Sequence, residues 1–257
     1  MIIVSGRVID FLILVACFIT FYVYVYWAER GKTFKIRKIP ALEAVSEVIG
    51  RAVEQGRPVH FTSGGTGSLS DALAPQLLAG VGVLSHISKT CAELDAKLVV
   101  SEVHPDLLPL VVSTIETSYQ IYGRDVPEDT VTYIPRGRTY TIGAAALIQR
   151  EKVAANFMIG PFTHEAVFLA EAGSEAGAMQ IAGTARVNQM PFFATVCDYI
   201  LIAEDIYAAG AYIQGTPKVL GTIVGEDPFK ILMFCLLIIG VILATFNVTW
   251  LMDILNM

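Results

Sequence analysis

Between Val59 and Gln76 the chain reads V-H-F-T-S-G-G-T-G-S-L-S-D-A-L-A-P-Q. A short apolar run ends in Ser63, Gly64, Gly65, Thr66, Gly67 and Ser68, and a helix-like segment follows. Three glycines in four positions let the backbone turn tightly and expose its N–H groups. Such a loop before a helix N-terminus is an anion cradle, because orphan N–H groups and the helix dipole point the same way. The pattern departs from both familiar phosphate loops. No Lys follows the last glycine, and the spacing is not G-x-G-x-x-G. A plain strand-to-helix turn would use the same three glycines.

Other residues that could do chemistry stand after later apolar runs. One run ends in Glu102, His104 and Asp106, the next in Arg136 and Arg138. A further run ends in Thr163, His164 and Glu165, and another in Thr184, Arg186 and Asn188. Guanidinium groups of Arg136, Arg138 and Arg186 match phosphate or carboxylate; as loop residues they could equally be solvated or ion-paired. Glu102, His104, His164 and Glu165 are the acid–base candidates. The same four could ligate a divalent cation, but no H-E-x-x-H or similar spacing supports it, so no metal site and no cofactor is assigned. Thr163 and Glu165 also read as a helix cap and a first-turn acid. Ser63, Ser68 and Ser101 lack a G-x-S-x-G elbow. His60, inside an apolar run, reads as a core histidine.

The elements that must position these residues alternate. Expected strands are Val59 to Thr62, Lys97 to Val103, Thr130 to Ile134, Asn156 to Ile159, Ala178 to Ala182 and Tyr199 to Ala203. Helical segments lie between them: Ser70 or Pro75 to Leu94, Asp106 to Tyr122, Ile142 to Lys152, Thr163 to Ala172, Met190 to Cys197, and Glu204 to Tyr212 at the end. Alternation of this kind implies a parallel sheet covered on both faces. Short, nearly continuous apolar strands suit a sheet buried on both sides. The expected fold is α/β: a doubly wound, mostly parallel, Rossmann-like domain. In such sheets ligands bind at the carboxyl ends of the strands, where the residues above fall, His60 apart. Val219 to Val224 reads as an edge strand and Gly225 to Pro228 as a hinge.

Of the 257 residues, 54% are apolar, and the excess gathers at the two ends. Phe11 to Ala28 carries no charge and is long enough to span a bilayer, with Tyr22, Tyr24, Tyr26 and Trp27 at one end. A cleaved signal peptide is the competing reading, but Tyr26-Trp27-Ala28 is bulky for a cut site. Ile231 to Phe246, extended by Asn247 to Met252 with Trp250, is a second expected span. Ala16 with Thr20, and Gly240 with Ala244, are small-residue pairs that could pack the spans together. Arg30, Lys32, Lys35, Arg37 and Lys38 follow the first span, which puts that side in the cytoplasm. The segments are therefore 1–30 (anchor), 31–57 (basic juxtamembrane stretch and linker helix), 58–228 (cytoplasmic domain) and 229–257 (second span). Both termini would lie outside.

Between Ile39 and Pro228 stand 11 Lys and Arg against 21 Asp and Glu, a net of −10. That acidity argues against nucleic acid as a partner. Cys17, Cys91, Cys197 and Cys235 show neither metal-ligand spacing nor a disulfide framework. The runs G-G-T-G-S-L-S-D-A-L-A-P-Q, I-G-P-F-T-H-E-A and G-T-A-R-V-N-Q-M-P-F-F-A-T resemble an uncharacterised family of prokaryotic membrane-anchored proteins. The resemblance implies membrane attachment and carries over no activity. The residues themselves point to a membrane-tethered module that binds a small anionic ligand within an oligomer or a larger membrane assembly. A tethered hydrolase or transferase using the same edge, and a scaffold without ligand chemistry, are the alternatives.

Overall fold

A computed structural model describes residues 8–32, 38–214 and 216–246 of the chain. It divides into two compact units, one containing the long terminal helices and the other running from Lys38 to Ile213.

The second unit holds six parallel strands: β1 (Val59–Thr62), β2 (Leu98–Glu102), β3 (Val131–Tyr133), β4 (Ala155–Ile159), β5 (Met179–Thr184) and β6 (Tyr199–Ile202). Each expected strand of the body is present within a residue or two. The order across the sheet is β3-β2-β1-β4-β5-β6, so the doubly wound Rossmann order is established, with its switch point between β1 and β4. Alternate residues decide the two faces. Val59, Phe61, Leu98, Val100, Phe157 and Ile181 pack into a core with α2 (Pro40–Glu54), α3 (Ala74–Leu94), α4 (Leu108–Ile121) and α8 (Asp205–Gln214). Met158 and Ala182 face α5 (Arg138–Glu151), α6 (Glu165–Glu175) and α7 (Met190–Val196).

Helix α2 corrects one expectation. It falls in the expected linker at 31–57, yet Leu42, Val45, Val48, Ile49 and Ala52 are buried in the body's core. Its apolar residues recur at helical spacing and need a partner face, so the unit begins before residue 58 and ends at Ile213 rather than 228.

The first unit contains α1 (Val8–Glu29) and α9 (Pro217–Thr245). Among the described residues, Phe11–Glu29 is the one helix long and apolar enough to cross a membrane by length and composition. Spans and signal sequences share that property. The expected edge strand at Val219 to Val224 and the hinge at Gly225 to Pro228 are both helix. Local β-branched composition yields here to packing against α1. A Cβ on Gly221 would lie 3.0 Å from the Val25 Cα, and one on Gly225 would lie 3.1 Å from the Phe21 ring. Phe21 and Phe229 stack at 6.2 Å. The close helix approach thus uses Gly221 and Gly225, a small-residue pair four apart. Thr20 turns its hydroxyl back to the Ala16 carbonyl at 2.9 Å. Lys35 and Arg37 of the basic stretch, and Asn247 to Met252 with Trp250, lie outside the described residues.

Candidate functional site

Two glycine-containing loops meet at the switch point. After β1, Gly64 takes φ +103°, and a Cβ there would strike the Pro161 carbonyl of the β4 loop. Conversely, a Cβ on Gly160 would fall onto the Ser63 carbonyl. Thr66 N–H donates to Pro161 O at 3.3 Å. The loops are knitted backbone to backbone, and only Gly can stand at either crossing. Gln76, from α3, locks the pair by donating from Nε2 to Gly160 O (2.8 Å) and to Thr184 Oγ1 (3.0 Å).

The glycine loop does not run straight into a helix. Residues 68–73 intervene before α3, and Asp106 ties them down. Its Oδ2 accepts from Leu69 N–H at 2.7 Å and from Ser68 Oγ at 3.0 Å. The Leu69 N–H holds the Asp106 carboxyl below the usual carboxylate range. Asp106 thus supplies a carboxylate to this turn from within the fold. Arg136 leans over the loop, its Nη2 donating to Gly67 O.

Beneath the loop, Ser63, Glu102 and His104 form a fully buried cluster. Ser63 Oγ donates to Glu102 Oε2 at 2.7 Å. Glu102 Oε1 accepts from the N–H groups of Val103 (2.9 Å) and His104 (2.8 Å). His104 Nδ1 lies 2.8 Å from the same oxygen, and Nε2 lies 3.1 Å from Thr66 O. Both ring nitrogens thus face oxygen atoms, and Glu102 Oε1 gathers the contacts from the β2 end. A Ser, a His and an acid are together, but the serine proton points at the acid, and His104 Nδ1 is turned to the same carboxylate. The cluster braces the β1 and β2 ends.

A second buried network lies on the α5/α6 face. His60 Nδ1 donates to Asn156 Oδ1 at 2.8 Å, and Ser101 Oγ donates to His60 Nε2 at 2.9 Å. Asn156 Nδ2 reaches Gln180 Oε1 at 3.0 Å, and Gln180 Nε2 reaches Ala170 O at 3.0 Å. That carbonyl and Leu169 O require donors, which sets both amides and, through them, the His60 tautomer. Burial pushes the His60 pKa down to about 4, so the ring is neutral. Thr62 and Tyr140 close the network with a hydroxyl pair. His60 is a satisfied core histidine, as the sequence indicates. Asn156 and Gln180 escaped the sequence reading, though a signal existed. Each of V-H-F-T, A-N-F-M-I and M-Q-I-A-G-T has its polar residue second, and the register aligns all three.

The remaining candidates separate. Glu165 is buried behind Gly65 and accepts from Thr163 N–H (2.8 Å) and Thr163 Oγ1 (2.5 Å). His164 is exposed, 3.7 Å from Glu165. Thr184 serves Gln76 and the Arg186 N–H. Asn188 is exposed and Arg186 half-buried on the β5 loop. Arg138 leaves the switch point altogether. With His164 it lines one end of a groove of about 910 Å³ between α5 and α6. Among the described residues, no group of three or more His, Cys, Asp or Glu is placed to hold a metal ion.

No curated protein matches the chain. A family model does, over residues 2–255: that of a domain of unknown function (DUF6754). With nearly its whole length matched, the chain belongs to this uncharacterised family.

Proposed function

We propose that the chain is a membrane-tethered α/β module that binds a small anionic ligand across the carboxyl edge of its sheet, and works in an assembly of copies or with other membrane subunits. One observation carries the ligand reading. Lys38, Arg51, Lys97, Arg124 and Arg150 of this acidic body each sit on a carboxylate, Arg57 is held by three backbone carbonyls, and Lys89, Arg138 and Lys152 stand away from the switch point. Arg136 and Arg186, flanking the switch point, have no carboxylate partner among the described residues. Arg136 reaches the β1 loop, and β1 and β5 are two strand spacings apart, about 10 Å. An extended ligand bearing phosphate or carboxylate fits that separation. Glu102 is fully buried and its oxygens are taken up by Ser63, His104 and two backbone N–H groups, so it faces the fold and not the ligand. Glu165 pushes the ligand outward, toward the guanidinium groups.

The tether is α1. A second crossing through Ile231 to Phe246, a cytoplasmic body and outward termini complete the reading, on the strength of the basic stretch after α1. A tethered hydrolase or transferase is the second reading, and exposed His164 beside Glu165 favours it as the site of a general base. The buried His104 does not.

The test is native mass spectrometry of the full chain in mild detergent. A retained phosphorylated or carboxylated compound, lost in Arg136→Ala and Arg186→Ala, is the expected result. A chain that carries nothing, and whose melting temperature inorganic phosphate and pyrophosphate leave unchanged, would overturn the ligand reading.

A further inference from the structure

The groove between α5 and α6 is built unlike the rest of the edge. Both helices begin at the carboxyl edge and run back along the sheet, so their N-termini lie together. At that end stand Arg138 and His164; towards the other stand Glu171 and Glu175. Between them the floor is mostly small (Thr141, Ala145, Ala146 and Ala172), Gln149 donates to Glu175 at the acidic end, and Ile142 and Phe168 project at 69% and 53% exposure. Arg138 makes no ion pair among the described residues. Exposed apolar side chains set between charges of opposite sign suit the core and rim of an interface.

We infer that this groove is a two-fold interface with a second copy of the chain. The charge layout selects the occupant. A patch that is cationic at one end and acidic at the other complements itself only when one copy is turned end for end. An isologous contact imposes that relation, since residue i meets j and j meets i. Arg138 and His164 of each copy then face Glu171 and Glu175 of the other at both ends of the seam. Parallel stacking would set like charge on like. Antiparallel helices also oppose their dipoles. Ile142 and Phe168 of each copy enter the space above the partner's alanines. The inference gives the assembly in the proposed function its surface and its partner, and it is independent of the anion contacts at Arg136 and Arg186.

The experiment measures the dimer dissociation constant of the full chain in detergent by analytical ultracentrifugation. Phe168→Arg changes an exposed residue and is expected to weaken the dimer at least about thirtyfold, the effect of a central anchor. Ile142→Arg should act alike. Arg138→Glu and Glu175→Arg are each expected to weaken it about fivefold, as rim charges do. Their double variant should return most of the loss, because the swapped pair is again complementary. A wild-type chain that stays monomeric overturns the inference. So does a dimer indifferent to Phe168→Arg and Ile142→Arg, or a copurifying lipid that those variants release. Retention of an anionic ligand by a Phe168→Arg monomer would show the two sites to be separate.

Discussion

The most informative single residue is His60, because its environment has a measurable sign. Its ring is neutral in the fold, with a pKa near 4 against an ordinary value of about 6.5. The unfolded chain takes up a proton as pH falls through 6.5, and the folded chain resists until about 4. Stability contributed by the neutral ring is therefore intact above 6.5, declines between 6.5 and 4, and flattens below. The full decline is about 3 kcal/mol. Denaturant midpoints of the full chain in detergent should fall with pH over that window. The fall should be shallower in His60→Gln by that amount; equal slopes would refute the assignment. Glycines supply the second prediction. Gly173 faces Gln180 and Asn156, with the Asn156 Nδ2 only 2.7 Å from where a Cβ would stand. Gly173→Ala should lower stability by about 1–3 kcal/mol through overpacking, read as a lower melting temperature. Glu102→Ala leaves the buried Ser63 hydroxyl, two backbone N–H groups and His104 Nδ1 without their partner and is expected to be worse, about 3–5 kcal/mol.

At the scale of elements, the glycine loop after β1 was legible as a turn and illegible as a lock. Gly64 and Gly160 are nearly a hundred residues apart in the chain, and nothing local announces that their backbones cross. The helix pair α1 and α9 shows the same limit in reverse. Val219 to Val224 is β-branched enough to read as a strand, and tertiary contact makes it helix. Gly221→Leu should push α9 off α1. A cysteine pair replacing Phe21 and Phe229, in a chain with Cys17 and Cys235 changed to Ala, would report it. The wild-type glycine should permit cross-linking, and Gly221→Leu should reduce the yield several-fold. An unchanged yield would mean that the close approach does not depend on glycine.

At the scale of the whole molecule, the acidic body and the apolar ends divide the labour. The chain is expected to sediment with membranes and to resist carbonate extraction. Tags at both termini should be cleaved by protease added outside intact cells, and a tag inserted at exposed Gly123 should be protected. Protection of either terminus would sink the two-pass arrangement with a cytoplasmic body.

By itself the sequence determined the elements of the body, because periods of 2 and 3.6 and the glycines that punctuate them are local signals. It also determined that the polar candidates fall at strand ends, since that follows from element boundaries alone. Only the tertiary structure decided which of them meet. Strand order is a matter of contacts between residues far apart in the chain, so it set Ser63 against Glu102 and His104 and aligned His60 with Asn156 and Gln180. It also buried the expected acid–base pair of β2 while sending Arg138 and His164 to a groove between two helices. Among the described residues Arg136 and Arg186 have no carboxylate partner, while Glu102 and Asp106 on the β2 side are bound within the fold.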